Sequence, residues 1–190
     1  MSYKAIILGA STGGPSALRT ILKNIPKNFP IPIIIVQRIP PGLFAESLAE
    51  ALDEASDIKV RILKEEDTIQ QNEAVLIPGG FNITFQGGGN KIKLIPGDDP
   101  ENSPSISYTI GQTQAFFKEP IILSILTGIC LDDNLTSESK KLKEQQGFII
   151  VQSPDSCFIE DLPQTIIQEN LADKVIALDK MGEEINSLCL

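Results

Sequence analysis

Ala5-Ile6-Ile7-Leu8-Gly9-Ala10-Ser11-Thr12-Gly13-Gly14-Pro15 is the stretch on which the fold turns. Ala5 to Leu8 is an unbroken apolar run, which fits a strand buried on both faces of a parallel sheet. Gly9 to Gly14 reads as a turn, and Pro15 suits a first helical position, where its missing N–H is no loss. Ala17, Leu18, Ile21, Leu22 and Ile25 then recur at helical spacing, predicting an amphipathic helix over 15–25. Pro26 to Pro32 reads as a loop. Ile33-Ile34-Ile35-Val36 is a second buried strand, ending at Gln37-Arg38. Strand, helix and strand in this short compass make a right-handed βαβ unit.

Working outward, residues 43–54 predict a helix with Leu43, Phe44, Leu48 and Leu52 on one face, and Lys59 to Leu63 a short strand. Ala74–Ile77, Ile83–Phe85 and Lys91–Ile95 read as strands split by Gly79-Gly80 and Gly87-Gly88-Gly89. The alternation Lys91-Ile92-Lys93-Leu94 suggests an antiparallel hairpin with one wet face. A polar loop at 96–104 precedes a helix over 105–117. Ile121–Leu126 is another buried strand. Residues 135–146 form a charged helix closed by Gly147, Phe148–Val151 a strand, Pro163–Glu169 a short helix and Lys174–Leu178 a late strand. The expectation is one domain over 1–190: a three-layer α/β/α fold with a mostly parallel, doubly wound sheet and an antiparallel hairpin inserted mid-chain. Ligands in such sheets sit beyond the carboxyl ends of strands. Gly9–Gly14, Gln37–Gly42 and Thr127–Asp133 should therefore converge.

Composition narrows the chemistry. The net charge is −9, unevenly spread: residues 1–45 carry five basic residues and no acid, and the rest carry 11 basic and 25 acidic. So acidic a chain is poorly suited to nucleic-acid backbones or anionic membranes. Histidine is absent altogether, so neither a serine nor a cysteine nucleophile has its usual base. Cys130, Cys157 and Cys189 share no short metal-ligand spacing. Three scattered cysteines read as reduced thiols in a cytoplasmic protein. The longest apolar runs, Ile31–Val36 and Ile121–Leu126, are strand-length, so no membrane insertion is expected. The N-terminus lacks the pattern of a signal peptide.

Gly9-Ala10-Ser11-Thr12-Gly13 is a G-x-S-x-G between a predicted strand and a predicted helix, the context of a nucleophile elbow. The turn exposes the serine oxygen, and the following helix offers N–H groups to a developing oxyanion. The plainer alternative is that Ser11 caps the helix. A dinucleotide-binding crossover is a third reading: Arg38 could accommodate the 2′-phosphate of NADP, although Ser11 occupies the middle glycine of the fingerprint. Asp132 and Asp133 precede a helix and suit its N-cap; one of them could also serve as a triad acid. The adjacent pair makes no convincing metal site. Cys130, without a nearby base, reads as a packing residue, and Lys140, Lys141 and Lys143 as a solvated helix face.

Gly9 to Pro15, Val36-Gln37-Arg38-Ile39-Pro40-Pro41-Gly42, Ile77-Pro78-Gly79-Gly80 and Leu126-Thr127-Gly128 together resemble the catalytic domain of bacterial chemotaxis protein-glutamate methylesterases of the CheB type. The resemblance runs from residue 4 to about 178, with the motifs in family order. It implies hydrolysis of glutamate methyl esters on chemoreceptors, with receptor-glutamine deamidation in some related domains, and no cofactor. It puts the nucleophile at Ser11 and the triad acid at Asp132, with Thr12, Gly13, Gln37 and Ile129 around the substrate and the oxyanion. Arg38 stands where the family has its catalytic histidine. Asn82 and Ser107 replace a histidine and an aspartate, Cys130 and Asp133 replace glycines, Ile129 replaces a methionine, and Asp161-Leu162-Pro163 stands for G-M-P. The receiver domain usual ahead of this domain is not among the 190 residues, so a stand-alone domain is expected.

Arginine carries only donors and stays protonated near neutrality, so Arg38 cannot take the serine proton. The expectation is an inactive or impaired homologue that acts by binding a chemoreceptor cytoplasmic segment or another signalling protein. The rival is an active serine hydrolase with a base other than histidine. Ser11, Arg38 and Asp132 are expected to meet at one sheet edge, with Arg38 and Asp132 as an ion pair.

Overall fold

The computed structural model describes residues 3–42, 44–86 and 91–190. The predicted helix position at Leu43 and the glycines Gly87, Gly88 and Gly89 lie outside them. In chain order the elements are β1 (Ile6–Ala10), α1 (Gly14–Leu22), β2 (Ile33–Gln37), α2 (Phe44–Glu54), β3 (Lys59–Ile62) and β4 (Glu73–Leu76). Then come β5 (Phe81–Gln86), β6 (Lys91–Pro96), α3 (Ile106–Phe117), β7 (Ile122–Ile125), α4 (Leu135–Glu144), β8 (Phe148–Gln152), α5 (Asp161–Gln168), β9 (Lys174–Ile176) and α6 (Leu178–Cys189).

Seven strands form one sheet in the order β3-β4-β2-β1-β7-β8-β9, and every neighbouring pair in it is parallel. β5 and β6 pair antiparallel as a separate two-stranded sheet. The three-layer α/β/α architecture and the hairpin are thus as the sequence implied. Alternate residues of each central strand feed opposite cores. Ile6, Leu8 and Ala10 meet Leu18 and Leu22 of α1, Leu48 and Leu52 of α2, and Met181 and Ile185 of α6. Ala5 and Ile7 meet Ile83 and Ile92 of the hairpin and the apolar faces of α3, α4 and α5. Both faces being covered is why β1 and β2 read as continuous apolar runs.

Two details differ from the sequence reading. The stretch predicted as a strand to Leu178 ends at Ile176, and a twelve-residue helix, α6, follows. Leu178, Met181, Ile185 and Leu188 carry its helical spacing, and they pack on the α1 side of the sheet. The α4 terminus is also built differently. Gln146, not Gly147, takes the left-handed position, with φ of 62°. The N–H groups of Gln146 and Gly147 return to Lys143 and Leu142, a Schellman closure. Gly147 is required because a Cβ there would lie 2.1 Å from Leu142 Cδ2.

α6 contributes stability through side chains that are fully buried. Ile185→Ala is therefore expected to lower unfolding free energy by about 3 kcal/mol, read from the urea midpoint at unchanged slope. A loss below about 0.5 kcal/mol, the range of surface substitutions, would mean that α6 is not docked as described.

Candidate functional site

From β1 the chain crosses to β2 on one side, and from β7 to β8 on the other. The crevice between the carboxyl ends of β1 and β7 is therefore the topological switch point, where α/β sheets bind ligands. A cleft of about 640 Å³ opens there, lined by Ser11, Arg38 and Asp132 among others. The three separated segments do converge.

Ser11 is 5% exposed, and its backbone is fixed from several sides. Its N–H donates to the Thr127 carbonyl at 3.1 Å, and its carbonyl accepts from Gly14 N at 2.8 Å and from Gln37 Nε2 at 2.9 Å. Gly13, in the left-handed region at φ 83°, is the N-cap of α1, which has no side-chain cap. Ser11 therefore does not cap this helix. Its Oγ accepts a hydrogen bond of 2.7 Å from Arg38 Nη2, and the same Nη2 lies 2.8 Å from the Ile129 carbonyl.

The expected Arg38–Asp132 ion pair is not what forms. Asp132 Oδ2 accepts from the Ser107 N–H at 2.8 Å and from Ser105 Oγ at 3.0 Å, while Oδ1 accepts from Ser107 Oγ at 2.5 Å. Ser105 is itself the N-cap of α3, its Oγ accepting from Tyr108 N. The carboxylate is thus held at the positive end of α3, where orphan N–H groups and the helix dipole favour an anion. Ser107, a hydroxyl in place of the family's aspartate, supplies a donor where a carboxylate would repel. The capping role read for Asp132 is real, but it serves α3 rather than the helix that follows it. At α4 the N-cap is Asn134, without a side-chain bond. Asp133 is exposed beside it.

Partial burial holds the Arg38 guanidinium below the ordinary arginine range, while Cys130, Asp132 and Asp99 pull it back up. It remains a cation near neutrality. The positions assigned around the oxyanion divide. Gln37 spends its Nε2 on the Ser11 and Arg38 carbonyls, so it positions the turn and is not a free donor. Its buried Oε1 has no hydrogen-bond partner among the described residues. Ile129 presents a carbonyl already bonded to Arg38. Thr12 and Gly13 keep backbone N–H groups without an acceptor among the described residues, at the start of α1.

Gln152 escaped the sequence reading, and the supporting roles of Asn82 and Asp161 were not legible in it. Gln152, fully buried at the end of β8, accepts the Thr127 N–H at 2.9 Å and donates to Ser156 O at 2.7 Å. Its signal is a lone glutamine closing an apolar strand, as Gln37 closes β2. Asn82 Oδ1 accepts the Ser105 N–H at 2.8 Å, which anchors the α3 cap. Asp161 Oδ2 accepts the Cys130 N–H at 2.7 Å. Cys130 packs against the core, as expected. Burial, with Glu160 and Asp155 nearby, pushes the Cys157 thiol up to about 11. Burial alone pushes Cys189 up to about 11. Neither is a thiolate at neutral pH. No group of three or more potential ligands among the described residues is placed to hold a metal ion, and no helix described is long and apolar enough to cross a membrane.

Removing the Asp132 carboxylate should unsatisfy the donors around α3. Asp132→Ala is expected to cost about 1–3 kcal/mol, and Asp132→Asn less, since its amide oxygen still accepts. Equal stability of the two variants and the unmodified protein in urea unfolding would contradict this assignment.

The chain is 35% identical over 191 aligned positions to a protein-glutamate methylesterase/protein-glutamine glutaminase of Pseudomonas fluorescens, covering 100% of this chain and 50% of the relative. It is 32% identical to the corresponding protein of Thermotoga maritima, covering 99% and 55%. It thus spans about half the length of the curated relatives it matches. The crystal structure of the Thermotoga maritima CheB methylesterase catalytic domain superposes with a TM-score of 0.89 at 31% identity, covering 99% of this chain and 100% of that one. With the CheB methylesterase family model matching residues 6–185, the chain belongs to the CheB methylesterase family.

Proposed function

We propose that this domain has kept the binding cleft of a protein-glutamate methylesterase and lost its hydrolytic step, acting in the cytoplasm on a chemoreceptor segment or another signalling protein. The observation that carries the reading is the 2.7 Å hydrogen bond donated by Arg38 to Ser11 Oγ. A serine hydroxyl attacks an ester only when a neighbouring base takes its proton. Here the neighbour is a donor that cannot accept one, and the chain contains no histidine. The guanidinium also occupies an oxygen lone pair and stabilises the hydroxyl as an acceptor. Asp132, the remaining acid of the motif, is bonded to Ser105 and Ser107. The relatives, named as methylesterases and glutaminases, supply the class of group the cleft is built around: a glutamyl side chain or a derivative of it.

The test is a peptide bearing a glutamate γ-methyl ester, with methanol release measured against buffer, and a fluorophosphonate probe followed by mass spectrometry at Ser11. Neither methanol release above background nor labelling of Ser11 is expected. Turnover abolished by Ser11→Ala would overturn the reading in favour of an esterase with another base.

A further inference from the structure

Arg38 is a half-buried cation in the floor of the cleft, and no carboxylate lies within ion-pair distance of it among the described residues. Nη2 is taken by Ser11 Oγ and the Ile129 carbonyl. Nε and Nη1 have no partner among the described residues. An unpaired guanidinium removed from bulk water is costly unless an anion joins it. A cation whose Nε and Nη1 donors are left free in a cleft is complementary to a carboxylate. An ester or a primary amide offers only neutral acceptors and gains far less.

Resting on the loss of hydrolysis proposed above, we propose that the cleft selects the free carboxylate of a protein glutamyl side chain over its methyl ester and its amide. The domain would then read the unmodified state of a partner protein. Asp99 and Asp132 act on Arg38 through space, and Asp98, Asp133 and Glu138 also line the cleft. This acidic surround opposes an isolated anion. It suits a carboxylate carried on a chain segment with basic flanks, and it makes a prediction of sign: Asp99→Asn should tighten carboxylate binding by about two- to fivefold.

The experiment uses the whole chain and NMR titrations with three pentapeptides, Ala-Ala-X-Ala-Ala with blocked ends. X is glutamate, glutamine or an uncleavable ethyl ketone isostere of the glutamyl methyl ester. The glutamate peptide is expected to bind about tenfold more tightly than the others, the scale of a charge-assisted hydrogen-bond pair. The preference should vanish in Arg38→Gln, with thermal unfolding as the control for folding, and survive in part in Arg38→Lys, which keeps the charge but not the planar donor geometry. Equal affinities, no perturbation of the cleft by the glutamate peptide at millimolar concentration, or a preference that persists in a folded Arg38→Gln protein would each overturn the proposal. So would glutarate binding as tightly as the glutamate peptide, which would assign the cleft to small free acids. Methanol release from the methyl ester peptide is scored separately. It would overturn the loss of hydrolysis, whereas the carboxylate preference is decided by the uncleavable series alone.

Discussion

Arg38→His is expected to raise Ser11-dependent hydrolysis of a glutamyl methyl ester by about 10²-fold over the unmodified protein. A positioned general base contributes about 10²–10⁴-fold, and the lower end applies here. Arg38 reaches Ser11 Oγ from the end of β2, so an imidazole at this position starts near the hydroxyl. The backbone that presents it is fixed, since Arg38 N–H donates to the Ala10 carbonyl at 3.0 Å. Orientation is the weaker part. Asp132 already accepts from Ser105 and Ser107, although a carboxylate has room for about four hydrogen bonds. Removing Arg38 also frees the lone pair on Ser11 Oγ that its hydrogen bond holds. The measurement is methanol release by Arg38→His, with Arg38→His/Ser11→Ala as the reference. Equal, Ser11-dependent rates in the unmodified and Arg38→His proteins would show that a base is already present and that the guanidinium is not the block.

The second large effect concerns the turn after β7. Gly128 adopts φ 154°. A Cβ added to it would lie 2.4 Å from Ser11 Cβ and 2.8 Å from Ser11 N, inside van der Waals contact with backbone. Neither partner has room to withdraw. Gly128 N donates to the Ile159 carbonyl and its own carbonyl accepts from Leu162 N, while Ser11 N is bonded to Thr127 O. Gly128→Ala should therefore destabilise the fold by about 3 kcal/mol or more, combining an unfavourable backbone region with overpacking. Urea unfolding checks the size. Loss of the Arg38–Ser11 contact, seen as altered arginine side-chain NMR signals, checks the location. A change under about 1 kcal/mol would mean that the β1 and β7 turns are not pressed together as described.

Much of this close approach was legible beforehand, and some was not. The apolar runs at Ile6 and Ile33, the turn beginning at Gly9 and the helical spacing from Ala17 to Leu22 depend on neighbours in sequence, so their periodicity survives in the bare chain. The convergence of Ser11, Arg38 and Asp132 follows from the same patterns, because each lies beyond the carboxyl end of a buried strand. The helix α6 was missed although Leu178, Met181 and Ile185 carry its period. The apolar start of that segment reads equally well as a continued strand until α1 is there to pack against. Gln146 shows the same limit on a smaller scale. Either Gln146 or Gly147 could take the left-handed turn, and the clash between a Cβ at 147 and Leu142 decides what each position must be.

At the cleft, the sequence by itself established the inventory: a serine in a strand–turn–helix context, an arginine in place of a histidine, and no imidazole anywhere. That already excludes the usual base, because chemistry of this kind is a property of residue types. Only the tertiary structure decided the pairing. From sequence, Arg38 and Asp132 are opposite charges expected to meet. In the fold, Ser105 and Ser107 at the start of α3 reach Asp132 with three donors, and Arg38 turns instead to Ser11 Oγ and the Ile129 carbonyl. Hydrogen bonds fall off within a few tenths of an ångström and a few tens of degrees, so the choice among partners rests on where distant strands and helix ends place their donors, which local patterns do not encode.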